Sequence, residues 1–310
     1  MRHTLQNYHW ATGLLVLLCL LSGPVAYAQQ KVQVVTRTLE QRWVCKPNTP
    51  VRIRAEKATL RVQGWDKPIV QVVLRLSARH PDRAVAERDL AAAQYRLQQN
   101  VSAINLVNFF SLPARAPAVQ SDLRAEYTVM MPARNSLQAA NTYGQTTLIA
   151  LSGEQKLEQS FGQISLSDLR GSLEVTTRYT DLVAINVQAD FICEANKSAV
   201  QLLGLGGSCF VRNYYGSVQV QPAVALRKLT VEADRTKVII SATEPALFAY
   251  QLNVLQGQLM VPPAYAAIKK GTTSRASLIT KPASGTQPVV RASTSYSSLT
   301  LQTQLLSTQF

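Results

Sequence analysis

Glu158, Glu194 and Glu232 are the carboxylates whose spacing could support chemistry. They share one position of an 18-residue period that lengthens once to 20. Enzymes that hydrolyse glycosides need two carboxyl groups about 5 to 10 Å apart, one as acid and one as base or nucleophile. Thr176 and Arg212 occupy the same position in the intervening coils. The glutamates are thus two coils apart, about 10 Å in a regular stack, and a period alone produces such a column without a catalytic purpose. Asp168, Asp181 and Asp190 sit at three different positions of the period and do not converge.

Other reactive groups are sparse. His3 and His9 lie in an expected leader, which leaves His80 as a loop residue ahead of a helix. One histidine supports neither a Ser-His-Asp arrangement nor a histidine-rich metal site. Beyond Cys19 in the leader, Cys45, Cys193 and Cys209 remain, an odd number that cannot form a closed disulfide framework. Cys193 and Cys209 point inward on adjacent coils but are diagonal to one another, a geometry unsuited to a bridge, so they read as buried free thiols. Cys45 reads as a capping-strand residue. No catalytic, cofactor-binding or metal-binding residue is assigned.

Two surfaces could bind rather than react. Tyr143, Phe161, Tyr179 and Tyr215 recur at turn positions, and read either as a ladder that stabilises corners or as one that stacks on sugar rings. Arg52, Arg54, Arg61, Arg75 and Arg79 read either as an anion-binding face or as a solvated strand face.

The elements that must position these residues follow from the repeat. Tyr143-Gly144, Phe161-Gly162, Tyr179-Thr180, Lys197-Ser198 and Tyr215-Gly216 are each 18 residues apart, and Arg235-Thr236 follows after 20. Between them apolar residues alternate, as in Leu173, Val175, Thr177 and then Leu182, Ala184. Period two inside a fixed longer period is the pattern of stacked strands sharing one core. The fold class is therefore all-β, a single-stranded β-solenoid or β-helix of roughly 18-residue coils with one α-helix-containing insertion. Leu151, Leu169, Val187 and Leu205 should form one internal column. The glycines should serve corners that demand positive φ.

Four regions result. Residues 1 to 28 read as a signal peptide, with Arg2, an apolar stretch from Leu14 to Leu21 and a small-x-small site at Ala26-Tyr27-Ala28. Residues 29 to 136 hold a first coil, Val51 to Val62, and an insertion acting as a cap. That insertion reads as a strand (Ile69 to Leu76), a helix (Asp82 to Gln99, with Asp82 as N-cap and Ala86, Leu90, Ala93 and Leu97 on one face), and strands at Val101 to Phe110 and Leu123 to Met131. Residues 137 to 241 are regular coils. Residues 242 to 310 hold less regular coils, one of them through Val289 to Leu301, and Phe310 alone does not make a membrane barrel.

The 310-residue chain carries a formal net charge of +14. Residues 31 to 136 hold 17 basic and 8 acidic side chains, residues 137 to 241 hold 9 of each, and residues 242 to 310 hold 5 and 1. Cationic flanks around a neutral repeat suit solubility or an acidic polysaccharide or envelope surface. Nucleic acid is not expected, since the basic residues are scattered outside any recognised motif. No transmembrane segment is expected once the leader is removed.

Val62-Gln63-Gly64-Trp65-Asp66, the helical insertion, the strand ending Val129-Met130-Met131-Pro132, and repeats such as Phe161-Gly-Gln-Ile-Ser-Leu followed by Leu169-Arg-Gly171 together resemble a bacterial family of exported "putative adhesins", related to the head-GIN-type adhesin domain of unknown function. The resemblance covers roughly residues 45 to 305, and the turn glycine is replaced at Thr180, Ser198 and Thr236. It implies a β-solenoid, placed in the periplasm, on the cell surface or outside the cell, and it assigns no catalytic residue. The function expected is a non-enzymatic cell-envelope protein that adheres or binds an envelope polymer. The alternatives are a carbohydrate-active β-helix enzyme and an envelope-stress or signalling accessory protein.

Overall fold

The computed structural model describes residues 32–112, 114–272, 274–280 and 285–303; the expected leader and Phe310 lie outside them. Strands make up 70% of the structure and helices 6%, and the strands form one large sheet that is not closed. The sheet is built by parallel pairing at a constant offset. β8 (Leu137–Ile149), β9 (Glu154–Ser167), β10 (Arg170–Ile185) and the start of β11 (Gln188–Ser241) pair in sequence order, with Ala139 opposite Leu157, Leu157 opposite Val175 and Val175 opposite Cys193. Alternation explains the burial: at each step one side chain enters the core and the next faces solvent.

The core column forms as the spacing predicts. Leu151, Leu169, Val187 and Leu205 are each at most 1% exposed. Amides one residue further on tie successive layers together: Arg170 N donates to Leu151 O, Gln188 N to Leu169 O and Gly206 N to Val187 O, all at 2.9 Å.

The corner geometry differs from expectation in one respect. The left-handed conformation falls on the residue before the glycine position, at Tyr143 (φ 62°), Phe161 (63°), Tyr179 (53°), Lys197 (51°), Tyr215 (58°) and Arg235 (47°). Gly162 (φ 123°) and Gly216 (φ 143°) also have the positive φ expected of them, and space demands glycine as well: a Cβ on Gly144 would sit 2.0 Å from Ala58 O, and one on Gly162 would sit 1.9 Å from Gly144 O. Corners with glycine carry a buried amide three residues earlier that reaches back to the previous layer. Asn141 Nδ2 donates to Ala58 O at 3.0 Å, Gln159 Nε2 to Gly144 O at 3.0 Å and Asn213 Nδ2 to Ser198 O at 3.2 Å. Corners without glycine have Thr177, Ala195 or Ala233 at that earlier position, and the turn hydroxyl bonds locally. Thr180 Oγ1 donates to Arg178 O at 3.0 Å, Ser198 Oγ to Asn196 O at 3.1 Å and Thr236 Oγ1 to Asp234 O at 2.9 Å.

At both ends the layers leave sequence order. β2 (Val51–Glu56) and β3 (Ala58–Trp65) meet at Lys57 (φ 48°) and pair with β8 on one side. On their other side lie β6 (Ile104–Phe110) and β7 (Asp122–Pro132), both from the insertion. β4 (Ile69–His80) pairs antiparallel with β7, and β1 (Gln33–Val44), a strand the sequence reading did not find, pairs antiparallel with β4. At the other end β16 (Val289–Ser295) and β17 (Leu299–Gln302) stack directly on β11. The earlier β12 (Ala249–Leu255) and β13 (Leu259–Met260) lie outside them. β15 (Arg275–Ile279) then pairs antiparallel with β12, and β14 (Lys270–Gly271) with β15.

The helix is shorter than expected. α1 spans Arg83–Leu90, and Asp82 caps it by accepting from Ala84 N at 2.8 Å. Ala93 and Leu97 belong instead to β5 (Ala93–Gln99), antiparallel to β6. Asn100 closes that hairpin, its Oδ1 accepting from Ser102 N at 3.1 Å and Ala103 N at 2.8 Å. Pairing with β6 satisfies a full strand of backbone groups, and this overrides a helical pattern worth only tenths of a kcal/mol per residue. α1 packs on β4 and β1.

Candidate functional site

Side chains that face outward from β8 to β11 form columns running along the stack. One column is Ala140, Glu158, Thr176 and Glu194, in direct register from layer to layer, continued by Arg212 and Glu232. The next, nearer the corner, is Thr142, Ser160, Arg178 and Asn196, continued by Tyr214. Glu232 apart, these residues line an open cavity of about 540 Å³ that crosses five layers. Beside it runs the corner.

The carboxylates in this trough are engaged. Arg212 lies between Glu194 at 3.6 Å and Glu232 at 2.9 Å. The Glu232 hydrogen bond leads in raising the guanidinium pKa. Lys156 bridges Glu158 at 4.0 Å and Glu174 at 2.8 Å, and the Glu174 hydrogen bond raises its ammonium pKa. An acid and base pair needs one carboxyl held protonated and another free, whereas these side chains are paired with cations. Asp168, Asp181 and Asp190 have separate partners: Asn186, the Ala199 amide at 3.3 Å and Arg227 at 2.7 Å.

Three of the corner aromatics form a continuous stack. Tyr143 and Phe161 lie 4.8 Å apart and Phe161 and Tyr179 5.2 Å, with planes within 7° and 2° of parallel. Lys197 Nζ sits 4.9 Å from the Tyr179 centroid and donates to its hydroxyl at 2.9 Å. That hydrogen bond lowers the Tyr179 pKa and raises that of Lys197. Arg235 lies between Tyr215 (5.3 Å) and Tyr296 (5.4 Å), and at the far end Lys57 lies 5.8 Å from the Phe110 ring. The rings are 39–53% exposed, and Tyr143 and Tyr215 each have one face against a neighbour. Both faces of Phe161 and Tyr179 are covered by their neighbours, which suits a stabilising ladder at those two rings.

The five arginines do not form one face. Arg52 and Arg54 point outward from β2, in the same columns as Gln138 and Ala140 of the trough wall. Arg61 lies on β3, beyond the bend at Lys57, and Arg75 and Arg79 lie on β4 of that second wall. Arg75 is 3.7 Å from Glu126. The bend defeats the grouping, because alternation read along β2 and β3 does not register the turn of the sheet between them.

The thiols are free and buried at Cys45, Cys193 and Cys209. Burial pushes the Cys193 thiol up to about 12 and raises those of Cys209 and Cys45. His80 ends β4, its Nδ1 accepting from Asp82 N at 3.0 Å. Among the described residues no group of three His, Cys, Asp or Glu side chains is placed to hold a metal ion, and no helix is long and apolar enough to cross a membrane. A second cavity, about 580 Å³ beside Trp65 and Lys67, includes Asn135, whose amide is committed to Lys46 O at 3.3 Å and Thr49 O at 3.0 Å.

Tyr214 was missed from the sequence although a signal was present. In the Tyr214-Tyr215 pair only one ring can take the corner, and the period of 18 puts the other in register with Thr142 and Asn196.

No protein-family profile matches the chain, and no curated protein matches it. Two similar solved structures are a putative cell adhesion protein from Clostridium sporogenes and a putative adhesin from Bacteroides fragilis. The first is 7% identical with a TM-score of 0.31, over 86% of this chain and 99% of that one. The second is 8% identical with a TM-score of 0.25, over 86% and 97%.

Proposed function

We propose that the chain is an exported, non-enzymatic β-solenoid of the cell envelope that adheres to, or binds, an envelope polymer through its long sheet face. What carries this reading is the trough: an open, polar channel of about 540 Å³ whose carboxylates are bound up with Arg212 and Lys156. Repetition supports it as well. Layers related by one translation set outward side chains at intervals of about 4.8 Å, and an extended ligand lying along them can touch several layers at once, so weak contacts add up.

The test is glycan-array binding by the full chain lacking residues 1 to 28, at low and at high salt. Binding to at least one envelope polysaccharide is expected. No signal to any polymer at either salt overturns the reading.

A further inference from the structure

We infer that the trough takes an uncharged, extended polysaccharide laid along the stack, with Tyr214 as the platform on which a sugar ring stacks. This rests on the polymer-binding reading above and narrows it to one ligand chemistry.

Charge argues first. The net charge of +14 favours an acidic polymer for the molecule as a whole, but the trough is unlike the whole. Along its strip Glu158, Glu174, Glu194 and Glu232 face Lys156, Arg178 and Arg212, and ion pairs already tie Lys156 and Arg212 to all four carboxylates. An acidic chain would find Lys156 and Arg212 already neutralised, would gain Arg178 alone, and would be repelled by the carboxylates around it. A neutral chain pays no such cost. Thr142, Ser160, Thr176 and Asn196 offer it hydroxyls and an amide, and paired groups such as Arg212 with Glu194 present donors and acceptors side by side.

Aromatic geometry argues second. Stacking on a sugar needs an open ring face. Phe161 and Tyr179 spend both faces on neighbours, and Tyr143 and Tyr215 spend one each. Tyr214 lines the trough, is 46% exposed, and no ring stacks on it among the described residues. It stands one residue from the ladder without belonging to it.

The experiment measures binding of soluble galactomannan and hydroxyethylcellulose, as neutral chains, and alginate and polygalacturonate, as acidic ones, by affinity electrophoresis at low and high salt. Wild type, Tyr214→Phe, Tyr214→Ala and Thr176→Trp are compared, each checked for native circular dichroism. Thr176→Trp fills the trough from an exposed strand position, so it tests the site even if Tyr214→Ala does not fold. The expected result is salt-insensitive binding of a neutral chain, kept by Tyr214→Phe, weakened about tenfold or more by Tyr214→Ala and lost in Thr176→Trp. Binding of acidic chains alone, salt-sensitive and indifferent to both trough variants, overturns this inference and leaves the broader reading standing. Neutral-chain binding unaffected by the trough variants also overturns it. Silence toward all four chains overturns this inference, and silence on the glycan array as well overturns both.

Discussion

From Leu137 to Ser241 every layer rests on the one before it in sequence, whereas at each end the chain lays an outer layer and then returns inside it. The middle is held by contacts that recur, such as the Leu151 to Leu205 column and the ring stack. The N-terminal end is held by contacts made once. Asp89, only 2% exposed, gathers Gln120 N, Ser121 N and Ser121 Oγ, each at 2.8 Å, and pairs with Arg88 at 2.8 Å. Repetition distributes stability over many equal contacts; a non-repeating cap concentrates it in a few.

The largest expected effect lies in the middle. Leu169→Ala removes a buried side chain from a layer with neighbours above and below, and should cost about 2 to 5 kcal/mol in urea unfolding. Leu259→Ala, in the last parallel layer at the other end, should cost clearly less, because only one parallel layer rests against it. Equal losses at the two sites would break the comparison.

Repetition also explains what could be read from the sequence. The core column, the corner positions, the first coil at Val51 to Val62 and the coil at Val289 to Leu301 were legible because each echoes a neighbour. β1 was not legible: Gln33–Val44 has no counterpart in the repeat, and its pattern becomes meaningful only against β4. The same holds for β5, where pairing with β6 decides the conformation. Nor could the order of layers at the C-terminal end be read, since a period gives the shape of a layer and not its place. In the trough, the glutamate column was legible from the period, while its pairing with Arg212 emerged only from side-chain geometry.

The N-terminal cap should respond to acid in a way the middle does not. Burial alone would raise the Asp89 pKa, but the Gln120, Arg88 and Ser121 hydrogen bonds overcome it and hold the carboxyl at about 2, below its ordinary 3.8. A depressed folded-state value means the stabilisation is complete above 3.8 and is lost as pH falls through about 2. Asp89→Asn should cost about 1.5 to 3 kcal/mol at neutral pH, the worth of hydrogen bonds to a charged group. The gap between variant and wild type should close on acidification through that window. A gap that stays constant to pH 2 would show that Asp89 does not anchor the cap through its charge.

The smallest expected effect separates the corner from the trough. Phe161→Ala deletes the ring held between Tyr143 and Tyr179, and such pairs contribute about 0.5 to 1.5 kcal/mol each beyond the area they bury. The ring is 39% exposed, so little core is disturbed. Urea unfolding should therefore register a loss of about 1 to 3 kcal/mol for the two contacts. Phe161→Tyr, which keeps the stack, should register almost none. Affinity for any polymer the protein binds should be unchanged in both variants, because the faces of this ring are turned to its neighbours and not to solvent. If Phe161→Ala instead abolished binding at unchanged stability, the ladder would be the ligand surface, and the division between a structural corner and a binding trough would be reversed.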